Sequence, residues 1–194
     1  MIICLSGYAG SGKDTFAKLL APEFKRIAIA DKIRDLVYEL NTNMFTVDSG
    51  KHGWTHTTRQ LVDQFGWEAA KRDYPELRAE LWETGKAAKR AFGETFWLGE
   101  MFAATSYDAA GEFIYEPNYV VTDIRFKYEI DYIKSQSREG SDVKVINIVR
   151  PEIGASTTHE ADMEGYEFDY TISNEGSIED LRKYAVLLKV FAAK

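Results

Sequence analysis

A glycine-rich segment near the start of the chain constrains its fold more than any other feature of the sequence. Residues 7–15 read Gly-Tyr-Ala-Gly-Ser-Gly-Lys-Asp-Thr and lie between an apolar run, residues 2–5, and a helix-prone run, residues 16–20. Glycines let a backbone turn tightly and direct its N–H groups toward a phosphate, and the positive end of the following helix dipole adds to the attraction. This context predicts a phosphate-binding loop in which Lys13 reaches the β- and γ-phosphates of a nucleotide. The nucleotide-binding candidates in the loop are Gly10, Ser11, Gly12, Lys13, Asp14 and Thr15.

The end of this loop departs from the usual pattern. A Ser or Thr normally follows the lysine directly, whereas here Asp14 intervenes and the hydroxyl comes at Thr15. The spacing weakens a direct bond from Thr15 to Mg²⁺ and resembles the loops of nucleoside monophosphate kinases, in which the metal is held largely through water. A dinucleotide-binding fold is an alternative, because Asp31 lies where a ribose-binding acid would be expected. The order of the glycines does not fit that fold, and Lys13 would have no role in it.

Composition and charge narrow the class of protein. The 194 residues carry a net charge of −7, with a pI of about 5.1, which argues against a general nucleic-acid-binding protein because a phosphate backbone requires a basic surface. We expect one domain over residues 1–194, since no linker-like stretch interrupts the chain. The single cysteine, Cys4, lies in the first apolar run and is interpreted as a small buried hydrophobe. Without an apolar span of membrane length or a leader-like start, we expect a cytoplasmic protein with no membrane partner.

Alternating apolar runs and helical patterns predict the rest of the fold. Strands are expected at residues 2–5, 27–30, 119–122, 143–149 and 170–173, and helices at 31–40, 57–72, 75–92, 95–109, 126–138 and 178–191. We expect Asp31 to cap the helix that follows it, and Pro75 and Gly93 to break the long helical region. The alternation indicates an α/β fold: a five-stranded, mainly parallel sheet with helices on both faces and a helical insert at about 31–110.

Functional residues of a parallel sheet lie just beyond the carboxyl ends of its strands. The polar residues at these positions are Asp31, Arg34, Asp123, Arg125, Arg150 and Asn174. Asp123 is placed like an acid that orders Mg²⁺ and its waters, although it could instead cap the next helix. Arg125 has the fork geometry to bind a phosphate, or it could pair with Asp123 or Glu129. Asn174 could hydrogen-bond the adenine edge, or it could belong to an ordinary loop.

Arg150 opens a polar segment that Pro and Gly interrupt. We interpret residues 150–165 as a short lid over the transferring phosphate, with Arg150 meeting the phosphates on closure. The alternative is that Arg150 hydrogen-bonds a neighbouring loop. His159 in the same segment has either a substrate or lid role or an ordinary surface position.

Several segments of the chain together resemble one enzyme family. They are residues 7–15, Val-Thr-Asp-Ile-Arg-Phe at 121–126, His-Glu at 159–160, and Asp-Tyr-Thr-Ile-Ser-Asn-Glu-Gly-Ser-Ile at 169–178. The middle of the chain adds Leu-Val-Asp-Gln-Phe-Gly-Trp at 61–67, followed in order by Lys71, Pro75, Arg78, Leu81, Gly85, Arg90 and Trp97. Over nearly its whole length the chain resembles the deoxynucleoside monophosphate kinases of tailed bacteriophages. It departs from them at Trp82, where the family often has Gln, and at Phe96, where Asp is usual.

The resemblance implies a P-loop kinase fold and transfer of the γ-phosphoryl group of ATP to a deoxynucleoside 5′-monophosphate. Such a transfer needs positioning and charge stabilisation rather than a protein nucleophile, and we assign those roles to Lys13, Asp123, Arg125 and Arg150. The implied cofactors are ATP and Mg²⁺, with Thr15 and Asp123 as metal residues acting through water. A host cytoplasm is expected if the source is a phage, and a homodimer stays open. No nucleic-acid polymer is expected as a partner.

The acceptor is expected to bind in the helical insert. One dianionic phosphate needs two or three cations, and the candidates are Arg34, Arg78 and Arg90, expected on separate helices; a surface ion pair is the alternative for each. Asp31 is a further substrate-binding candidate. Trp97 could stack on the nucleobase, although its helix has apolar spacing suited to packing.

Two other functions stay open at this stage. One is a different small-molecule P-loop kinase, such as dephospho-coenzyme A kinase, which this chain resembles in its loop and last strand. The other is a nucleotide-sensing or DNA-packaging ATPase, which would hydrolyse ATP without an acceptor. The acidic balance of the chain disfavours the packaging ATPase.

Overall fold

The structure divides the chain into two compact units. It is a computed structural model that describes residues 1–48, 52–106, 118–137, 142–153, 163 and 165–192. The first unit comprises Met1–Ile29 and Met101–Lys194 and is called the sheet unit here; the second, Ala30–Glu100, is called the helical unit. The expectation of one domain over residues 1–194 stays a prediction.

Seven strands and seven helices are described in these ranges. The strands are β1 (Ile2–Ser6), β2 (Lys25–Ile27), β3 (Asn43–Asp48), β4 (His52–Thr57), β5 (Tyr119–Val121), β6 (Val143–Val149) and β7 (Tyr170–Ser173). The helices are α1 (Lys13–Leu20), α2 (Ile29–Leu40), α3 (Thr58–Asp73), α4 (Pro75–Phe92), α5 (Phe96–Ser106), α6 (Lys127–Gln136) and α7 (Ile178–Ala192). None of these helices is both long and apolar enough to span a bilayer.

Five strands of the sheet unit form one parallel sheet in the order β2-β5-β1-β6-β7. β1 lies at its centre with all five residues buried, and it pairs with β5 on one side and β6 on the other. In this register Ile2 lies opposite both Tyr119 and Val143. The predicted α/β fold with a five-stranded parallel sheet is confirmed, and β6 and β7 have the predicted bounds.

One face of the sheet is covered by the first and last helices. Phe16 of α1 and Leu181 of α7 join Ile3 and Leu5 of β1 in a single buried cluster. Each such side chain contributes roughly 1.5–3 kcal/mol when it is fully buried. This apolar layer fixes the start of α1, and therefore the glycine loop before it, against the centre of the sheet.

The opposite face of the sheet is covered by α6. Side chains alternate along a strand, so Cys4 points away from the cluster that holds Ile3 and Leu5. α6 contacts β6, the strand that pairs with β1, and the charges of Lys134 and Glu129 on this helix act on the Cys4 thiol. Burial raises the pKa of the Cys4 thiol to about 12. The interpretation of Cys4 as a buried hydrophobe is confirmed, because such a thiol forms almost no thiolate at neutral pH.

The second strand and helix begin earlier than predicted. β2 ends at Ile27 instead of Ala30, and α2 begins at Ile29. The predicted cap, Asp31, instead lies in the first turn of α2, where a carboxylate still stabilises the helix dipole. The cap is supplied by Asp123, whose Oδ1 accepts a hydrogen bond from the Ile29 N–H at 2.9 Å. A cap from a residue so distant in sequence leaves no local signal.

The helical unit contains a hairpin that the sequence did not predict. β3 and β4 pair antiparallel, from Asn43 opposite Thr57 to Asp48 opposite His52. An isolated two-stranded ribbon is marginally stable, so its formation depends on packing against other elements. Here β4 contacts α3 and β3 contacts α4. The hairpin is thus a product of tertiary packing, and local propensity did not reveal it.

The helices of this unit follow the predicted breaks. α3 starts with a reciprocal cap, in which the Thr57 hydroxyl accepts from the Gln60 N–H and the Gln60 side chain accepts from the Thr57 N–H. Pro75 opens α4 and Gly93 ends it, as predicted. Gly66 adds an unpredicted kink within α3, at φ 73° and ψ 159°. The core that joins α2, α3 and α4 contains Val37, Leu61, Ala70 and Leu77.

Candidate functional site

The glycine loop between β1 and α1 has the backbone conformation of a phosphate cradle. Gly7, Gly10 and Gly12 all have positive φ, at 133°, 82° and 107°. The Ser11 N–H donates to the Tyr8 carbonyl at 3.0 Å, which closes the turn. Gly12 is the N-cap of α1, and no side chain caps that helix. The first N–H groups of α1 therefore face the loop as potential anion donors.

Two of these glycines are required by their neighbours as well as by their φ values. A Cβ on Gly7 would lie 2.2 Å from the Ile148 carbonyl oxygen of β6. A Cβ on Gly12 would lie 2.5 Å from the Asn174 side-chain nitrogen. The loop is thus held closely between the end of β6 and the residue that follows β7.

Lys13 crosses back over the loop. Its Nζ donates to the Gly7 carbonyl at 2.6 Å and to the Tyr8 carbonyl at 2.9 Å. Lys13 is half-buried at the start of α1. The ammonium group therefore lies against the loop backbone, and its contact with phosphates stays a prediction.

The residues of the loop fit a polyphosphate. The Ser11 hydroxyl is buried and has no hydrogen-bond partner within the described part of the chain. An orphaned buried hydroxyl costs free energy unless a ligand or solvent satisfies it. Together with the Lys13 ammonium and the open end of α1, it forms a donor set suited to phosphate oxygens.

The metal-binding capacity of the described residues is limited. They contain no group of three or more His, Cys, Asp or Glu side chains that could hold a metal ion. Mg²⁺ is the metal that the sequence predicts at this loop. Asp123 and Thr15 are the side chains assigned to it from the sequence, and their metal roles stay predictions.

Asp123 lies two residues beyond β5, next to the strand that leads into the loop. It is half-buried, and one of its carboxylate oxygens caps α2 through the Ile29 N–H. The alternative in which Asp123 caps the helix that follows it is wrong, because the N-cap of α6 is Phe126; Asp123 caps α2 instead. A cap through one oxygen is compatible with a second role for the same carboxylate.

Arg125 follows on the same loop, and the adjacent backbone is fixed by Glu129. The Glu129 carboxylate, only 4% exposed, accepts from the backbone N–H groups of Arg125 and Phe126 at 2.8 and 3.1 Å. Glu129 therefore contacts the backbone of Arg125, whereas the sequence suggested a pair with the Arg125 side chain. The Arg125 side chain is exposed, and its phosphate role stays a prediction.

Arg150 begins a turn that lies against the glycine loop. The Ile153 N–H donates to the Arg150 carbonyl at 2.9 Å. The Ile153 side chain lies 3.2 Å from where a Cβ on Gly10 would be. Arg150 itself is exposed. Its catalytic role stays a prediction, and most of the predicted lid, including His159 and Glu160, lies outside the described residues.

Asn174 supports the loop from the end of β7. Its side-chain N–H donates to the Ser11 carbonyl at 2.8 Å, and its backbone N–H donates to the Val149 carbonyl at 2.7 Å. These bonds give Asn174 a structural role across three neighbouring segments. The contact with the adenine edge stays a prediction. Asp14, whose side chain is 73% exposed, lies 3.8 Å from the Arg26 guanidinium, and its nucleotide role is likewise untested.

The helical unit brings cations from three helices toward one carboxylate. Glu68 of α3 accepts from Lys71 Nζ at 2.8 Å and from Arg34 Nη2 of α2 at 3.2 Å. The hydrogen bond from Lys71 and the charges of Lys71, Arg34 and Arg78 lower the pKa of the Glu68 carboxyl. Asp31 lies 3.4 Å from the other side of the Arg34 guanidinium. Arg34, Lys71, Arg78 and Glu68 are called the cation cluster below.

The cluster corrects the predicted trio of acceptor arginines. Arg78 and Arg90 lie on one helix, α4, instead of on separate helices. Twelve residues of α-helix span about 18 Å, too far for both side chains to grip one phosphate. The charge of Arg78 acts on Glu68, which Lys71 contacts at 2.8 Å, and an acceptor role for Arg78 stays a prediction. The i, i+3 spacing of Glu68 and Lys71 was the available signal, because it puts both on one helix face.

Trp97 has a packing role. Its side chain is 3% exposed, and its indole N–H donates to the Gly85 carbonyl at 3.0 Å. The neighbouring Phe96 ring meets it edge-on, with centroids 5.0 Å apart. A ring enclosed in this way has no open face for a nucleobase, so the predicted base contact is corrected to a packing contact.

An open cavity of about 420 Å³ lies in the helical unit beside Arg34. Tyr38 and Trp67 supply aromatic surface to it, and the Tyr38 hydroxyl donates to Asp63 at 2.8 Å. Arg59 lies over the Tyr38 ring, 5.2 Å from its centroid. The remaining lining residues are Asp35 and Glu39. Asp63 and Trp67 belong to the segment at 61–67 that resembles the kinase family, and no local pattern connects them to Arg34.

Comparisons with known proteins return similar structures and no matching sequences. No family model matches the chain, and no curated protein matches it. Among solved structures, a shikimate kinase from Aquifex aeolicus is similar at 14% identity and a TM-score of 0.43, covering 100% of this chain and 98% of that one. An APS kinase from Mycobacterium tuberculosis has 11% identity and a TM-score of 0.42, covering 98% and 96%. A dephospho-CoA kinase from Campylobacter jejuni has 16% identity and a TM-score of 0.41, covering 99% and 97%. Scores this low carry no argument about the reaction of this chain.

Proposed function

We propose that this protein is an ATP-dependent kinase that transfers the γ-phosphoryl group to a deoxynucleoside 5′-monophosphate. The observation that carries the proposal is the glycine loop of the sheet unit, with its three positive-φ glycines, the orphaned Ser11 hydroxyl and the Lys13 ammonium. A phosphotransferase also needs a site for an anionic acceptor. The cation cluster of the helical unit is our candidate for that site.

The donor side uses the loop. Backbone N–H groups at the start of α1 and the Ser11 hydroxyl would hold phosphate oxygens, and Lys13 would exchange its two carbonyl partners for the β- and γ-phosphates. Bound Mg²⁺ would neutralise charge on the phosphate oxygens, with Thr15 and Asp123 ordering its water shell. Arg125 and Arg150, both exposed beyond the ends of the two strands that flank β1, would add positive charge for the transition state.

The acceptor side uses the helical unit. Arg34 and Lys71 are held partly buried, with 25% and 19% of their side chains exposed, so they present fixed charges to a phosphate. The cavity beside Arg34 has aromatic surface from Tyr38 and Trp67 that suits a nucleoside. A nucleotide with its phosphate at Arg34 would therefore place its sugar and base in that cavity.

The acceptor is identified by incubating the protein with ATP and Mg²⁺ and each of the common deoxy- and ribonucleoside monophosphates, with dephospho-coenzyme A and shikimate as further acceptors. Nucleoside diphosphate formation is followed by chromatography. We expect a deoxynucleoside diphosphate as the main product. Phosphorylation of dephospho-coenzyme A alone, or ATP hydrolysis that no acceptor changes, would contradict the proposal and favour one of the two alternative functions.

Asp123 provides a test of the donor side. We expect Asp123→Asn to lower kcat about 10- to 100-fold and to weaken the dependence of the rate on Mg²⁺, since it removes the charge that orders the metal's water shell. The amide oxygen of Asn can still accept from the Ile29 N–H, so the melting temperature should change little. Asp123→Ala loses the cap too and should cost about 1 kcal/mol of unfolding free energy. Wild-type rates of the Asn variant at every Mg²⁺ concentration would contradict a metal role for Asp123.

The cations of the cluster provide a test of the acceptor side. We expect Arg34→Ala and Lys71→Ala each to raise KM for the monophosphate by about tenfold or more, because each loses a charge-assisted hydrogen bond to phosphate. KM for ATP should stay within about twofold. Arg90→Ala is the matched control on α4 and should change neither KM. An acceptor KM that responds to Arg90 and not to Arg34 would place the acceptor phosphate elsewhere.

A further inference from the structure

The carboxylate at the centre of the cation cluster is far more exposed than the cations that hold it. The Glu68 side chain is 79% exposed, whereas those of Arg34 and Lys71 are 25% and 19% exposed. Arg34 is also fixed from its other side by Asp31. The two cations therefore belong to the fixed surface of the helical unit, and Glu68 is their outer, solvent-facing partner.

This arrangement matches the requirements of a phosphate monoester. The cluster has three positive charges, and Glu68 and Asp31 together supply two negative charges. A phosphate monoester near neutral pH carries about two negative charges and three acceptor oxygens, so it offers Arg34 and Lys71 more than one carboxylate can. An exposed ion pair is weakly held in water, so a stronger anion can displace Glu68 at little cost.

We propose that Glu68 is an internal competitor of the acceptor, whose carboxylate occupies the place of the acceptor phosphate until the nucleotide displaces it. Lys71 is then a direct phosphate ligand, alongside Arg34. This inference rests on the proposed function, because it concerns the acceptor site of that reaction. It makes Glu68 a determinant of acceptor affinity that acts by occupying the cations in the free protein.

A positioning role for Glu68 predicts the opposite change in phosphate affinity. If Glu68 instead holds Arg34 and Lys71 in the geometry that phosphate needs, its removal lets both side chains move and weakens binding. If it is an internal competitor, its removal vacates the cations and strengthens binding. The sign of the change in affinity thus distinguishes competition from positioning.

The test is Glu68→Gln, which keeps the shape of the side chain and removes its charge. Binding of inorganic phosphate and of each common deoxynucleoside monophosphate is measured by calorimetry without ATP. We expect dissociation constants about three- to tenfold lower than those of the wild-type protein, as two weak ion pairs no longer compete. In turnover, KM for the acceptor should fall by a similar factor, with KM for ATP unchanged.

Glu83→Gln is the matched control. Glu83 lies on α4 of the same unit and pairs with Lys86 at the same i, i+3 spacing, with 62% of its side chain exposed. Its substitution removes the same charge and should leave phosphate binding unchanged. In a Lys71→Met background, Glu68→Gln should give a smaller gain in affinity, because one of the two competing contacts is already absent.

Weaker or unchanged binding by Glu68→Gln, or an equal gain by Glu83→Gln, would overturn the inference. Failure of the proposed function gives a different pattern. If no monophosphate is phosphorylated but Glu68→Gln still tightens binding of inorganic phosphate, the acceptor is wrong and the internal competitor stands. If monophosphates are phosphorylated normally and Glu68→Gln does not tighten their binding, the proposed function stands and only the inference fails.

Discussion

Replacing Lys13 with alanine is expected to lower kcat for phosphoryl transfer by at least about 10²- to 10³-fold while the protein stays folded. A preorganised positive group aimed at developing negative charge typically accounts for a factor of this size. Lys13 also donates to the Gly7 and Tyr8 carbonyls, and each of those bonds contributes roughly 1 kcal/mol to stability. We therefore expect a small decrease in the free energy of unfolding, measured by urea titration, beside a large loss of activity.

Lys18→Ala is the control for this experiment. Lys18 lies in the last turn of the same helix, α1, and is exposed. Its loss removes the same charge from the protein without touching the loop, so activity should be retained. If Lys13→Ala keeps wild-type activity, or if Lys18→Ala loses as much, the loop is not the donor site and the proposed reaction has no basis in the sheet unit.

Replacing Gly7 with alanine is expected to destabilise the protein by roughly 3 kcal/mol or more, the range of severe steric and backbone strain. The new Cβ would lie 2.2 Å from the Ile148 carbonyl oxygen and 2.9 Å from the Ser11 hydroxyl oxygen. Ile148 is a backbone neighbour inside the parallel sheet, paired with β7, so it cannot rotate away as a side chain could. The loop must shift, and phosphate binding should be lost together with stability.

Gly66→Ala separates the cost of the positive φ from the cost of the steric clash that Gly7→Ala also introduces. Gly66 also has a positive φ, 73°, but a Cβ there would meet no atom within 4 Å. Its substitution should cost only the backbone strain of this conformation, about 1–3 kcal/mol. Urea unfolding of the two variants, followed by circular dichroism, measures the difference. Equal costs would mean that close packing against β6 contributes nothing to the requirement for glycine at position 7.

Much of the fold was predictable because its signals are local. The apolar run of β1, the glycines after it and the helix-prone residues of α1 follow one another directly. Pro75 and Gly93 act on the backbone at their own positions, so both helix ends were predicted. The β3–β4 hairpin was missed because its stability comes from α3 and α4.

In the candidate site, too, local features were predictable from the sequence and contacts between distant segments were not. The sequence named Lys13, Asp123, Arg34 and Arg78, because residue type and position relative to a strand or helix are written in the chain. It did not reveal that Arg34 and Lys71 pair with Glu68, or that the charge of Arg78 acts on the same carboxylate. These residues come from three helices, and only the packing of those helices brings them together. It also placed Arg90 beside Arg78, although one rigid helix keeps them apart.

By itself the sequence determined that a buried strand, a glycine loop and a helix follow one another at the start of the chain, and it predicted that this loop binds phosphates. Only the tertiary structure decided what the neighbouring residues do. Asp123 caps a helix that begins 94 residues earlier, and Asn174 bonds a loop carbonyl 163 residues before it. Trp97 is enclosed by packing and cannot meet a base. Side-chain roles of this kind depend on which distant groups the fold brings within hydrogen-bond distance, and no local pattern carries that information.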